Sequence, residues 1–296
     1  MYPTDDKLVY PQVRTEGDRY IYRIKQSGTQ TIRLATTEDV GGPCTVTLQA
    51  DYFDTQSVEI LQKNIFATAE FREWSGSNTD YVIVGQTIRY YVNVSSSSAP
   101  TSVTIDGKKA TQYTVNNAPE GTTVWYIDWS GTTKENYAMS VQMVVEGTTF
   151  TNNVGTIKVA GLSLGNAATT PKTDGTKYVM QNTSYTSTYC TSANTNLSAS
   201  TSLNYYSLFT FETSGNNRKI KSVAKGTYCT GTTNNGSISF NANGTAYTFN
   251  NDGQISYKSG ANTYYLRQSS NTDVTLGNTP STNRSWKFYP VTIELP

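Results

Sequence analysis

ThrTyrCysThr at 188–191, ThrTyrCysThr at 227–230 and ThrTyrTyrLeu at 263–266 are three versions of one phrase. Each is followed by an aromatic-x-Phe triplet: PheThrPhe (209–211), TyrThrPhe (247–249) and TrpLysPhe (286–288). Tyr189, Tyr228 and Tyr264 lie 39 and 36 residues apart, and Phe211, Phe249 and Phe288 lie 38 and 39 apart. Both markers keep one order and one period, so 177–291 reads as three repeats of about 40 residues. Related runs open the units: LysTyrValMetGln (177–181), LysIleLysSerVal (219–223) and GlnIleSerTyrLys (254–258). Units of this size, made of short strands, cannot bury a core singly, but closed around a threefold axis they can. The six aromatic markers are therefore expected in the core.

Composition agrees. Thr, Ser and Asn fill 102 of 296 positions, and Tyr and Gly add 22 each. Thr, Tyr and Val suit pleated strands, while Asn, Gly and Ser suit turns. The residues that build helices are scarce, so a helical bundle, a coiled coil and a doubly wound nucleotide-binding fold are excluded. The chain has no His. That removes Ser-His-Asp and Cys-His catalysis and every His-containing metal site, and three Cys cannot form a Cys₄ zinc site. Net charge is +1. Residues 1–166 carry −4 and residues 167–296 carry +5, too weak an asymmetry for nucleic-acid binding. No stretch approaches the roughly 18 apolar residues of a membrane span. Six Asn-X-Ser/Thr triplets occur, as many as the Asn, Ser and Thr content yields by chance.

Outside the repeats the pattern is also period two. Residues 67–160 hold TyrValIleVal (81–84), ThrIleArgTyrTyrValAsnVal (87–94), SerValThrIle (102–105), ThrValTrpTyrIleAspTrp (123–129), MetSerValGlnMetValVal (139–145) and GlyThrIleLysVal (155–159). Asp106-Gly107 between two such runs is a hairpin signal. Six or seven strands here predict an immunoglobulin-like sandwich with Trp125, Ile127 and Trp129 on its core face. The Cys…Trp…Cys spacing of antibody domains is missing. Residues 1–66 alternate at Tyr20, Tyr22 and Ile24, at Ile32 and Leu34, at Val46 and Leu48, and at Val58 and Ile60. They read as an N-terminal β domain for anchoring or assembly. Residues 161–176, rich in small and turn residues, read as a linker.

The 177–296 region resembles the ricin-type β-trefoil lectins, whose units end in Gln-x-Trp, often with an aromatic or aliphatic residue two places later. Trp286-Lys287-Phe288 fits the Trp-x-Phe part, and Phe209-Thr210-Phe211 and Tyr247-Thr248-Phe249 are aromatic variants. Ser207, Thr245 and Arg284 stand where the family has Gln, and the family's early-repeat aspartate has no match. The expected fold is all-β: an N-terminal β segment, an immunoglobulin-like β-sandwich and a C-terminal β-trefoil.

Candidate ligand residues are polar groups in the mid-repeat loops, because Asn and Asp give directed hydrogen bonds and Tyr an aromatic face for a sugar. These are Asn194, Asn196 and Tyr205 in the first unit, Asn234, Asn235 and Asn241 in the second, and Asn271, Asp273 and Asn278 in the third. Asp273 leads, being the sole carboxylate in the three loops. No carboxylate pair of the kind glycoside hydrolysis needs stands out, and Asp128, between Ile127 and Trp129, is expected on an outward face. No phosphate loop, calcium loop or nucleophile elbow occurs, and no catalytic residue, metal or cofactor is expected. Cys190 and Cys229 occupy equivalent repeat positions, either as a bridge or redox pair or as small core residues. Cys44, after Pro43, is expected as a buried thiol in a turn.

The functional expectation is a non-enzymatic virion surface protein: a capsid decoration, head-fibre or tail-associated protein of a tailed phage. It is expected to be oligomeric. It would contact capsid or other virion subunits through its N-terminal region and host-surface or mucus glycans through the trefoil. No basic, apolar leader opens the sequence. The alternative is a bacterial secreted or cell-surface glycan-binding lipoprotein whose signal peptide has been removed. An accessory fragment of a carbohydrate-active enzyme and a purely structural trefoil stand behind these.

Overall fold

The computed structural model describes residues 65–296 apart from 77–79, 116–120 and 279–281, and before residue 65 only the backbone of six short strands. The protein is all-β. Among the described residues the only helical turns are single 3₁₀ turns at Tyr205–Ser207 and Thr282–Arg284. The chain divides into two compact units, 1–66 and 67–296.

In the first unit, three antiparallel pairs are described: Tyr2–Pro3 with Leu34–Ala35, Arg14–Glu16 with Arg19–Ile21, and Gly42–Leu48 with Gln56–Gln62. Val46 pairs with Val58 and Cys44 with Ile60. Cys44 thus lies within a strand rather than a turn. Tyr22, Ile24 and Ile32 fall outside the described residues.

The second unit begins with two sheets over one core. One sheet runs Thr111–Tyr113, Thr122–Trp129, Ile88–Ser96, Ala67–Ser75. The other carries Lys108–Lys109, Ser102–Ile105, Glu135–Val145 and Thr148–Leu164 in order, with Val82–Ile83 parallel to the last. Alternation buries Ile88, Tyr90, Val92 and Val94 from one sheet and Met139, Val141, Met143 and Val145 from the other. The Tyr90 hydroxyl points at the Val154 carbonyl (3.5 Å), and the Trp129 indole donates to Asp106 (3.1 Å). Burial of its ring pushes the Tyr90 hydroxyl up to about 12. Ile127 and Trp129 are buried, whereas Trp125 is only half-buried and its indole donates to Thr123 (2.9 Å). Asp106-Gly107 closes the hairpin joining 102–105 to 108–109, with φ of 50° and 72°. Two successive positive φ values match the right-handed twist of the flanking strands. Glu146-Gly147 closes the next hairpin in the same way, with φ of 48° and 81°.

Residues 178–294 build a ring of six strands. Tyr178–Asn182, Phe209–Ser214 and Asn217–Ser222 pair in sequence, and Trp286–Glu294 pairs back onto the first. Thr248–Phe249 pairs with Ile255–Ser259. Bridges Arg218–Tyr247 and Gln254–Ser285 complete the circuit. Each repeat adds a hairpin to one end of the ring: 189–191 with 198–200, 228–230 with 239–241, and 262–268 with 274–277. Phe211, Phe249 and Phe288 meet in a triangle with ring centroids 5.6, 5.4 and 5.8 Å apart. Equivalent positions of the three repeats thus converge on one point. The Trp286 indole is buried and donates to the Leu266 carbonyl (3.0 Å).

The three Tyr markers behave differently from one another. Tyr189 and Tyr264 pack half-buried against apolar clusters. Tyr228 lies on a charged surface and is not core; its hydroxyl donates to Glu212 (2.7 Å). In the third repeat the buried position of the hairpin is Leu266, opposite Leu276, one residue later than the marker alignment places it.

The stretch read as a linker is partly strand. Thr148–Leu164 is a single strand of 17 residues, and its last four pair with the C-terminal strand, Gly161 with Glu294 through Leu164 with Val291. Beside this pairing, Ile83, Val179 and Leu208 are buried together, with Tyr81, Leu162, Leu164 and Ile293 packed around them. Alternation at Leu162 and Leu164 serves this junction.

Candidate functional site

A recess of about 400 Å³ opens where the hairpins of the first and third repeats meet. Asn194, Thr195, Asn196 and Ser198 line it from the first repeat, Ser237 from the second, and Ser269, Asp273 and Thr275 from the third. Leu197 and Val274, both buried, supply its apolar part.

Backbone pairing between repeats assembles this wall. Bridges join Ser198 to Asp273 and Ser237 to Thr275. Ala199 N–H donates to the Thr272 carbonyl (2.9 Å), and Leu197 N–H to the Ile238 carbonyl (2.7 Å). Ser270 sets the acidic side. Its hydroxyl donates to Asp273 Oδ2 (2.9 Å) and accepts from the backbone N–H groups of Thr272 (3.2 Å) and Asp273 (3.1 Å). Gln268, fully buried, holds this turn from beneath: its Nε2 donates to Thr188 Oγ1 (2.8 Å) and to the Ser270 carbonyl (2.9 Å). Opposite, Asn194 Nδ2 donates to Ser198 Oγ (3.1 Å). The exposed Asp273 carboxylate therefore faces solvent beside amides and hydroxyls, a set suited to a polyhydroxylated ligand.

Of nine residues expected as ligand groups, the recess unites Asp273, Asn194 and Asn196. Tyr205 is elsewhere, half-buried against the Ile83–Val179–Leu208 cluster, with its N–H on the Val84 carbonyl (2.9 Å). Asn241 closes a turn by accepting from Asn243 N (3.0 Å) and Gly244 N (2.8 Å). Asn234, Asn235 and Asn278 form a second polar group: Asn234 accepts from Asn278 N (3.0 Å), and Arg267 donates to Asn235 (2.6 Å). Asn271 is exposed in the turn before Asp273 and does not line the recess. Thr195, Ser198, Ser237, Ser269 and Thr275 went unnoticed in the sequence, because 77 Ser and Thr residues leave no single hydroxyl conspicuous.

Elsewhere, several charged side chains are occupied by local pairing. Asp128 is outward-facing and bonds Arg89 (2.9 Å). Glu135 accepts from Thr133 (2.6 Å), which holds its carboxyl below the usual range. Tyr228 and then Lys221 do the same for Glu212, and Glu212 in turn raises both of them. Among the described residues no group of three or more His, Cys, Asp or Glu could hold a metal ion. Cys190 and Cys229 are free, fully buried in one core cluster, and burial pushes both thiols up. Thiols in that state are small core residues, not nucleophiles.

No protein-family profile matches this chain, and neither a curated protein nor a solved structure matches it significantly.

Proposed function

We propose that the protein is a non-enzymatic surface protein that binds glycans through a lectin-like β-trefoil formed by its three repeats. The six-stranded ring, its three hairpins and the Phe triangle support the trefoil reading. The two-sheet region behind it supports an immunoglobulin-like sandwich. The observation that carries the function is the recess in which Asp273 of the third repeat meets Asn194 and Asn196 of the first. An acidic group among amides and hydroxyls is suited to bind vicinal sugar hydroxyls, and the shallow, polar wall suits a terminal sugar unit. The proposed setting is the surface of a virion, with attachment to host or mucus glycans. A bacterial cell surface is the alternative setting.

A glycan array with the full chain, beside the same chain carrying Asp273→Ala, tests the site. Binding that disappears in the variant is the expected result, and binding that survives places the site elsewhere. Antibody labelling of purified particles against producing cells tests the setting. A second reading has one observation in its favour: no aromatic ring lines the recess, so sugar stacking is missing there. On that reading the trefoil contacts only other subunits, and the array stays blank.

A further inference from the structure

The outward face of the four-stranded sheet carries a tyrosine cluster remote in sequence from the three repeats. Alternation along Ile88–Ser96 sends Tyr90 and Val92 into the core and leaves Arg89, Tyr91 and Asn93 on the other side. Register then sets Tyr91 opposite Tyr126 and Arg89 opposite Asp128. Tyr113, on the edge strand, brings a third ring to the group and is 46% exposed. Its ring lies 5.3 Å from Tyr91 and 6.3 Å from Tyr126, and Tyr91 lies 5.6 Å from Tyr126. The interplanar angles are 66°, 83° and 47°, edge-to-face and tilted contacts rather than flat stacking. The Arg89 guanidinium sits 4.4 Å over Tyr126 while it bonds Asp128 at 2.9 Å. On the next strand Glu70 accepts from Asn93 Nδ2 (3.1 Å).

We propose that this face is a second carbohydrate site, one that takes the flat side of a neutral polysaccharide chain. Three hydroxylated rings give an apolar surface for sugar C–H groups, and the flanking amide, carboxylate and guanidinium give directed bonds to hydroxyls. The surface is an open sheet face, so it accommodates the middle of a chain rather than an end. Its cations are paired: Arg89 with Asp128, and Arg72, whose guanidinium also bonds Asn93 (3.3 Å), with Glu73 (3.4 Å). A polyanion or polycation gains little there. The rings are already fixed by cross-strand contacts, so binding loses little side-chain entropy.

Affinity electrophoresis of the full chain tests this, with gels containing a soluble β-glucan, a xylan or a mannan, and sulfated dextran as the charged comparison. The expected result is retardation by at least one neutral polymer. Tyr113→Ala and Tyr126→Ala should each weaken it about tenfold. Run in parallel, Asp273→Ala assigns the retardation: loss in that variant with both Tyr variants undiminished places the binding in the recess and overturns the proposal. Melting temperatures of the two Tyr variants confirm that they remain folded, and Tyr113 is exposed enough to be removed safely. Retardation by sulfated dextran alone, by no polymer, or undiminished in both Tyr variants would overturn the proposal.

Discussion

Gly253 stands where backbone and core meet most closely. Its φ is +75°, and a Cβ there would lie 2.3 Å from the Trp286 carbonyl oxygen. Its own carbonyl accepts from Trp286 N–H at 2.9 Å, which ties the two backbone segments together. Gly260 has a similar φ of +59° but nothing within 4 Å. Ala at Gly260 should cost about 1 kcal/mol from backbone conformation alone, and Ala at Gly253 clearly more. Urea melts of the two variants measure the difference, which isolates the clash. Buried titratable groups make a second case. Cys190, Cys229 and Tyr247 are held protonated by burial, and Tyr90 by the same cause up to about 12. The unfolded chain releases these protons from about pH 8.5 for Cys and about 10 for Tyr. Stability is therefore full below pH 8.5 and falls as pH rises beyond it. Melting temperature followed from pH 7 to 11 should decline, and the early part of the decline should be blunted in Cys190→Ala/Cys229→Ala. At the acid end, Glu212 has a depressed folded value, so its contribution is present above the ordinary carboxylate range and is lost as pH falls through the folded one.

Strands repay their period directly. The runs at 102–105 and 123–129 and the Asp106-Gly107 turn were legible because alternation and turn chemistry are local. The ring was legible too, through Phe211, Phe249 and Phe288, because a repeat forces equivalent residues to one axis. Removing one of these rings should therefore be felt by all three units: Phe211→Ala should cost about 3–5 kcal/mol. Its denaturant midpoint should shift for the whole 178–294 ring in one step. What escaped the sequence depends on distant partners. The strand at 67–75 pairs with 88–96 through a shift between Phe71 and Glu73, which blurs its alternation. Asp273 was legible as a rare carboxylate, yet its neighbours Ser198 and Ser237 come from other repeats and carry no local mark. Tyr205 packs at the junction and Tyr228 among Glu212, Lys219 and Lys221, placements set by neighbours that no local pattern marks.

That junction governs how 67–296 behaves as a body. The last four residues of Thr148–Leu164 pair with 291–294, and 178–182 pairs with 286–290 of the same C-terminal strand. The exposed loop between them, around Lys172–Gly175, is thus bracketed by two pairings to one strand. Trypsin cutting after Lys172 should leave both fragments bound together in native size-exclusion chromatography, separating only in denaturant. Leu164→Ala with Ile293→Ala removes apolar contacts from the Ile83–Val179–Leu208 cluster. Calorimetry should then show one unfolding transition of 67–296 dividing into two. The 17-residue strand has a mechanical consequence as well. A pull applied to the ring runs along a single covalent β-strand into the two-sheet region, with pairing on its flanks loaded in shear. A load taken up at the ring's hairpins would therefore tug on a stiff lever rather than a swivel, and the ring would transmit direction as well as force.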